Sequence, residues 1–196
     1  MNFAFSEEQE ELRKVVRDFL NAKSDEPTVR ELMDTEAGYD TAVWTQMAEQ
    51  MGLQGLVIPE EFGGSGYSFV ELIVVLEEMG RRLLCAPYFS TVVLAGQTLI
   101  HSGDDAAKAA HLPGIASGET VATVAFTEPN GRWDESAVTA TATADGDTWK
   151  INGEKLYVLD GHTADLIITA ARTDAGVSLF AVAGDAAGLT RTALST

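Results

Sequence analysis

The sequence predicts an α+β protein, with an N-terminal helical bundle through residue 118 followed by an antiparallel, barrel-like β domain over residues 119–196. Three observations predict it. In the first half, apolar residues recur at helical spacing behind capping residues. The string LPGIASGE, residues 112–119, then gathers Pro113, Gly114, Ser117 and Gly118 into a turn and a change of regime. Beyond Glu119 the apolar and β-branched residues follow the alternating pattern of strands.

Ser6 and Gln9 form a capping box, and Leu12, Val15, Val16, Phe19 and Leu20 place one apolar face on the helix behind it. Asp25 to Thr35 reads as a short helix with Pro27 in its first turn. Asp40 caps a third helix whose Trp44, Met47, Ala48 and Met51 share a face, and Gly52 stands where it stops. Leu56 to Ile58 is a short apolar run, too short to identify as a strand, that Pro59 ends. Gly63, Gly64 and Gly66 predict a bare, tight loop. Ser68 and Glu71 make a second capping box, with Leu72, Ile73, Leu76, Met79 and Leu83 behind it. After Pro87, a helix through Val92, Ala95 and Leu99 ends near Gly103, and Asp104–Asp105 start a shorter one.

Strands are expected at 121–127, at 138–143 and at 148–151 after the Asp145–Gly146–Asp147 turn. Asn152–Gly153 reads as the strongest hairpin signal in the chain, since both central residues of a type I′ turn need positive φ. Further strands are expected at 155–159, 166–171 and 177–183.

Thirty acidic against thirteen basic side chains give a net charge of −17, which opposes binding to phosphate backbones and anionic membranes. Nucleic acid and membrane are therefore not expected partners. No apolar run reaches the length of a membrane span, and MNFAFSEEQEE lacks the character of a signal peptide, so a cytoplasmic location is expected. Cys85 has no second cysteine to pair with and reads as a small buried group. His101, His111 and His162 lack metal-ligand spacing, and no serine has a GxSxG context, so neither a metal site nor a hydrolase is expected.

Gly63, Gly64 and Gly66 do not make a nucleotide-binding fingerprint. The longer string from Gly55 through PEEFGGSG to EEMGRRLLCAP, however, resembles the N-terminal helical domain of the acyl-CoA dehydrogenase family, and residues 108–119 are similar to that family's link between its helical and β domains. Phe126-Thr127-Glu128-Pro129 read alone is a strand running into a Pro-limited turn. Under the resemblance it starts the flavin-binding segment: Phe126 and Thr127 match positions whose backbone and hydroxyl meet the isoalloxazine of FAD, and INGEK with Tyr157, Val158 and Leu159 matches the strand pair on the flavin's other side. The chain departs from the family's pattern in two places. Trp133 stands at the usual serine position, and Tyr157 and Leu159 stand where Trp and Thr are usual. Arg132 reads either as a bidentate donor to a pyrophosphate or as a solvated loop residue.

The resemblance implies FAD-dependent α,β-dehydrogenation of an acyl-CoA thioester, of the lipid or steroid side-chain catabolism type. An electron-transfer flavoprotein is the implied electron acceptor, and a homo- or hetero-oligomer the implied assembly. It also implies a C-terminal helical domain carrying the glutamate base. No carboxylate here matches that base, so the catalytic base is expected outside these residues and the chain alone is expected to be inactive. The alternative is a non-catalytic partner subunit of a heteromeric acyl-CoA dehydrogenase, favoured by Trp133 and Leu159.

Overall fold

The computed structural model describes residues 4–194, so Met1–Phe3 of the N-terminal stretch weighed as a signal peptide lie outside the described residues. Helices begin where the capping residues predict. Ser6 and Gln9 cap each other reciprocally at α1 (Glu7–Lys23), Asp25 caps α2 (Glu26–Met33), Asp40 caps α3 (Thr41–Glu49), and Ser68 with Glu71 caps α4 (Phe69–Arg81). A π-helical segment, Phe89–Gly96, runs into α5 (Gln97–Ile100), and Asp104 caps α6 (Asp105–Ala116). No helix among the described residues is long and apolar enough to cross a membrane.

α1 and α4 lie side by side. Gln9 donates to Glu71, Arg13 to Glu77, Arg17 to Glu78 and Arg81 to Asn21, an order that makes the two helices parallel. Glu78 is 1% exposed and accepts from Arg17 at 2.6 and 3.0 Å and from Arg81 at 2.7 Å. The hydrogen bonds from Arg17 outweigh burial and hold its carboxyl at about 2.

The core is shared between helices and sheet. Val16, Leu20, Trp44, Met47, Leu72, Met79 and Val92 pack in one cluster with Val121, Ala125 and Ile167. Ile58, Leu99, Leu112 and Ile115 pack with Ala122, Leu166 and Ile168 in a second. The strands are β1 (Ala122–Ala125), β2 (Thr141–Asp145), β3 (Thr148–Asn152), β4 (Leu166–Thr173) and β5 (Gly176–Ala183). β4 is central: it pairs β1 in parallel from Ala122↔Leu166 to Ala125↔Thr169, β5 antiparallel, and β2 in parallel at Thr141↔Arg172. β2 and β3 form the hairpin that the Asp145–Gly146–Asp147 turn predicts.

The α+β class therefore holds, with corrections. The sheet is mixed rather than wholly antiparallel, because the chain between β1 and β4 returns to lay β4 parallel beside β1. Asn152–Gly153 makes no hairpin. Gly153 is there for close approach, since a Cβ on it would lie 2.5 Å from that of Ala140. Residues 155–159 form no strand and lead instead into a tight turn. Leu56 to Ile58, too short in the sequence to identify as a strand, is turn, and the Leu56 and Ile58 carbonyls are used by the glycine loop. α6 runs through Pro113 and Gly114 to Ala116, so the turn expected over 112–119 is confined to its end, where Gly118 takes φ +76°. Val15, Ile73 and Leu83, expected on buried helix faces, are exposed.

The glycine loop explains the PEEFGGSG string. Ser65, Gly66 and Tyr67 donate main-chain N–H bonds back to Gly55, Ile58 and Leu56. That folds Gly64 so close that a Cβ would lie 2.0 Å from the Ile58 carbonyl oxygen, whereas Gly63 faces open space at φ +83°. Gly64→Ala is expected to cost about 3 kcal/mol, at the high end for a single substitution. Gly63→Ala bears only the left-handed backbone penalty, about 1 kcal/mol. Urea midpoints of the two variants check this ordering, and equal midpoints contradict it.

Candidate functional site

β1 runs out of the core toward Phe126–Pro129, and its end is fixed from two sides. Thr169 Oγ1 of β4 donates to the Ala125 carbonyl at 3.0 Å, and Leu156 N–H donates to the Thr127 carbonyl at 2.8 Å. The next residue, Glu128, is 3% exposed. Its carboxylate accepts from Lys155 Nζ at 2.7 Å, from the Thr139 and Ala140 N–H groups at 2.7 and 3.1 Å, and from the Thr139 hydroxyl. Burial alone pushes this carboxyl up, but the Lys155 and Thr139 bonds override it and hold it at about 2. Glu128 therefore stays ionised and serves as the buried post joining the strand end, the start of β2 and the 153–156 segment.

Beyond Leu156 the chain turns sharply. Tyr157 and Asp160 both adopt left-handed backbone, at φ +54° and +52°. Thr123 Oγ1 of β1 donates to the Leu159 carbonyl at 2.6 Å, so the turn lies along β1. Gly161 closes it so tightly that a Cβ would lie 2.9 Å from Val158 Cγ1. Ser90, buried on the π-helical segment, donates to Asp160 Oδ2 at 2.5 Å. Non-glycine residues in left-handed backbone persist only where their surroundings hold them, and they concentrate at functional sites.

Five of the six residues singled out in the sequence thus belong to two segments that these bonds bring together: Phe126 and Thr127 at the strand end, and Tyr157, Val158 and Leu159 on the turn. Phe126, Thr127 and Val158 are half-buried, while Tyr157 is 73% exposed. Trp133 is not drawn in. It stands 76% exposed on the next loop, where the Arg132 guanidinium is engaged by Asp134 at 3.0 Å through both Nε and Nη2, rather than being a free donor. Sequence reasoning missed Glu128 with Lys155, Thr123, and Ser90 with Asp160. For Glu128, Lys155 and Asp160 the local signal was a charge beside an apolar run, and Thr123 and Ser90 carry no local signal.

The edge has a defined chemical character. Among the described residues, the Thr127 hydroxyl and the main-chain N–H groups of Tyr157, Val158 and Leu159 have no hydrogen-bond partner within the chain. Phe126 precedes Thr127 in the chain and Tyr157 opens the 157–159 turn, so each half of the edge carries an aromatic ring. Polar donors beside the exposed Tyr157 ring and the half-buried Phe126 ring suit a flat heteroaromatic ligand with acceptors along one margin. The concavity along α1, lined by residues including Phe5, Glu10, Arg13 and Arg17, contains none of these residues.

Residues 6–119 match the acyl-CoA dehydrogenase N-terminal domain and residues 123–196 the acyl-CoA dehydrogenase middle domain. The chain belongs to the acyl-CoA dehydrogenase family, whose members are FAD-dependent. It is 32% identical to the probable acyl-CoA dehydrogenase YngJ of Bacillus subtilis over 98% of its own length and 52% of that protein's. Its fold is similar to a chain of the ChsE4–ChsE5 complex from Mycobacterium tuberculosis, with TM-score 0.88, 28% identity, and coverage of 100% of this chain and 52% of that one. It is also similar to the Tcur3481–Tcur3483 steroid ACAD, with TM-score 0.79, 33% identity, and coverage of 96% of this chain and 50% of that one. The chain spans about half the length of these relatives.

Proposed function

We propose that this chain is the flavin-binding portion of an acyl-CoA dehydrogenase that forms a double bond between the α and β carbons of an acyl-CoA thioester, of the lipid or steroid side-chain type. The observation that carries the reading is the edge itself: a free hydroxyl and three free main-chain N–H groups beside two aromatic rings, held on a buried ionic post. That donor set fits an isoalloxazine, whose polar margin accepts hydrogen bonds and whose plane stacks on aromatic rings. FAD bound here supplies the hydride acceptor for the β-hydrogen. Thr127 and the amides at 157–159 orient its polar margin, Tyr157 offers a face to its plane, and Phe126 backs the strand end. Glu128, ionised down to about 2 and committed to Lys155, does not act as the base. Removal of the α-proton is assigned to a carboxylate outside this edge, and an electron-transfer flavoprotein to the onward transfer of electrons. The likeness to the Tcur3481–Tcur3483 steroid ACAD supports the substrate type.

A second reading, a non-catalytic partner subunit, is favoured by the exposed Trp133 and Leu159, which replace small hydroxyl donors, and by the likeness to a chain of the ChsE4–ChsE5 complex. Titrating the purified chain with FAD separates the two, since stoichiometric binding contradicts the partner-subunit reading. Losing one hydrogen bond to a neutral acceptor costs about 0.5–1.5 kcal/mol, so Thr127→Ala is expected to weaken FAD several-fold with the fold intact. Equal affinity of wild type and variant contradicts the role given to Thr127.

A further inference from the structure

We propose that Asp160 is a positioning residue, whose carboxylate, gripped by Ser90 of the π-helical segment, locks the Tyr157–Leu159 turn in the conformation that presents its amides to the ligand. This rests on the flavin-edge reading above and adds to it the device that pre-forms the edge.

Tyr157 at φ +54° occupies a conformation unfavourable to a bulky residue, and three residues later Asp160 at φ +52° takes the same conformation, which a short polar side chain tolerates when it is hydrogen-bonded. Two such residues in one short turn need external restraint, and the restraints converge on Asp160 and its neighbours. The carboxylate accepts from Ser90 Oγ at 2.5 Å, a charge-assisted bond whose donor is fully buried. The Asp160 carbonyl accepts from Thr163 N–H at 3.1 Å and Ala164 N–H at 3.0 Å. On one side Thr123 holds the Leu159 carbonyl, and on the other Arg191 donates to the carbonyls of His162 and Ala164, each at 2.9 Å. Residues 159–164 are thus pinned, while the side chains of Tyr157 and Leu159 and the amides of 157–159 are left for a ligand.

The anchor at the other end is equally specific. Thr91, next to Ser90, both donates to the Ala122 carbonyl and accepts from the Ala122 N–H, each at 3.0 Å. The π-helical segment is therefore docked on β1 through one buried hydroxyl and on the turn through the adjacent one. Widened helical turns of this kind recur where a helix must aim side chains at a site. Through Ser90 and Thr91 the helical layer registers the turn against β1, the same strand that delivers Thr127. The two halves of the edge are consequently set by one element.

The test uses the full chain with three variants and two readouts: amide hydrogen exchange without ligand, and FAD affinity. Ser90→Ala removes the donor. Asp160→Gly removes the carboxylate while accepting left-handed backbone, so it folds without strain. Asp160→Asn keeps a side-chain oxygen to accept from Ser90 and tolerates the same backbone. Ser90→Ala and Asp160→Gly are expected to speed exchange at 157–160 selectively and to weaken FAD about tenfold, as expected for one charge-assisted bond. Asp160→Asn is expected to stay near wild type in both. Unchanged exchange at 157–160 in Asp160→Gly, exchange raised uniformly along the chain, or an Asp160→Asn variant no better than Asp160→Gly each overturn the proposal. A wild-type chain that takes up no FAD overturns the flavin reading instead, and the exchange comparison still decides whether Asp160 locks the turn.

Discussion

Glu128→Ala is expected to lower the unfolding free energy by about 3–5 kcal/mol, the largest loss among the substitutions considered. The variant leaves the Lys155 ammonium, 10% exposed, without its carboxylate and strips the acceptor from the Thr139 and Ala140 N–H groups. An unpaired buried charge is what makes breaking such a pair so much worse than never having it. Glu128→Gln keeps the shape and part of the hydrogen bonding, and should fall between wild type and Ala. Because Glu128 follows Thr127 directly, both variants should also disorder the edge and weaken flavin uptake. Urea unfolding checks the stability, and an unchanged midpoint in Glu128→Ala contradicts the role of the post.

Acid destabilisation is the second large effect. Glu78 and Glu128 are each held at about 2 from an ordinary value of 4.5. A carboxylate with a depressed folded-state pKa contributes stability that is fully present above 4.5 and lost as pH falls from there toward 2. A drop of that size corresponds to about 3 kcal/mol for Glu128, whose partner Lys155 is only 10% exposed. The Glu78 contribution is the smaller, because its partners Arg17 and Arg81 are 45% and 41% exposed and solvent screens them. These two groups therefore leave stability flat between pH 5 and 7 and steepen its loss below about 4.5. Glu128→Gln should remove the greater part of that slope, and a Glu128→Gln chain that loses stability below pH 4.5 as steeply as wild type contradicts the assignment.

What was legible in the sequence was local. The starts of α1, α2, α3, α4 and α6 each rest on a side chain bonding to an amide two or three residues away, so Ser6, Asp25, Asp40, Ser68 and Asp104 announce these helices directly, whereas the π-helical segment and α5 begin without a side-chain cap. The glycine loop and the Asp145–Gly146–Asp147 hairpin are readable for the same reason. The failures are contacts across distance. Gly153 looks like a hairpin residue until Ala140 is found packed on it, and Pro113 looks like a helix stop although α6 continues for another turn. Nothing local distinguishes Lys155 from a solvated lysine, since the carboxylate it meets lies 27 residues away. Ser90 and Asp160 are 70 residues apart, and the π-helical geometry that joins them has no sequence signature at this length. Phe126, Thr127 and the 157–159 turn were legible only through family resemblance, whereas the restraints that hold them became visible with the fold.

The strand end at 126–129 and the turn at 156–160 are proposed to form one ligand-binding edge. Differential amide hydrogen exchange of the purified chain, with and without saturating FAD, tests it most directly. Exchange is expected to slow in both segments together, with the amides of 157–159 prominent and the helical layer around α1 unchanged. Unaltered exchange in both segments, or protection confined to the α1 concavity lined by Phe5, Glu10, Arg13 and Arg17, would contradict it.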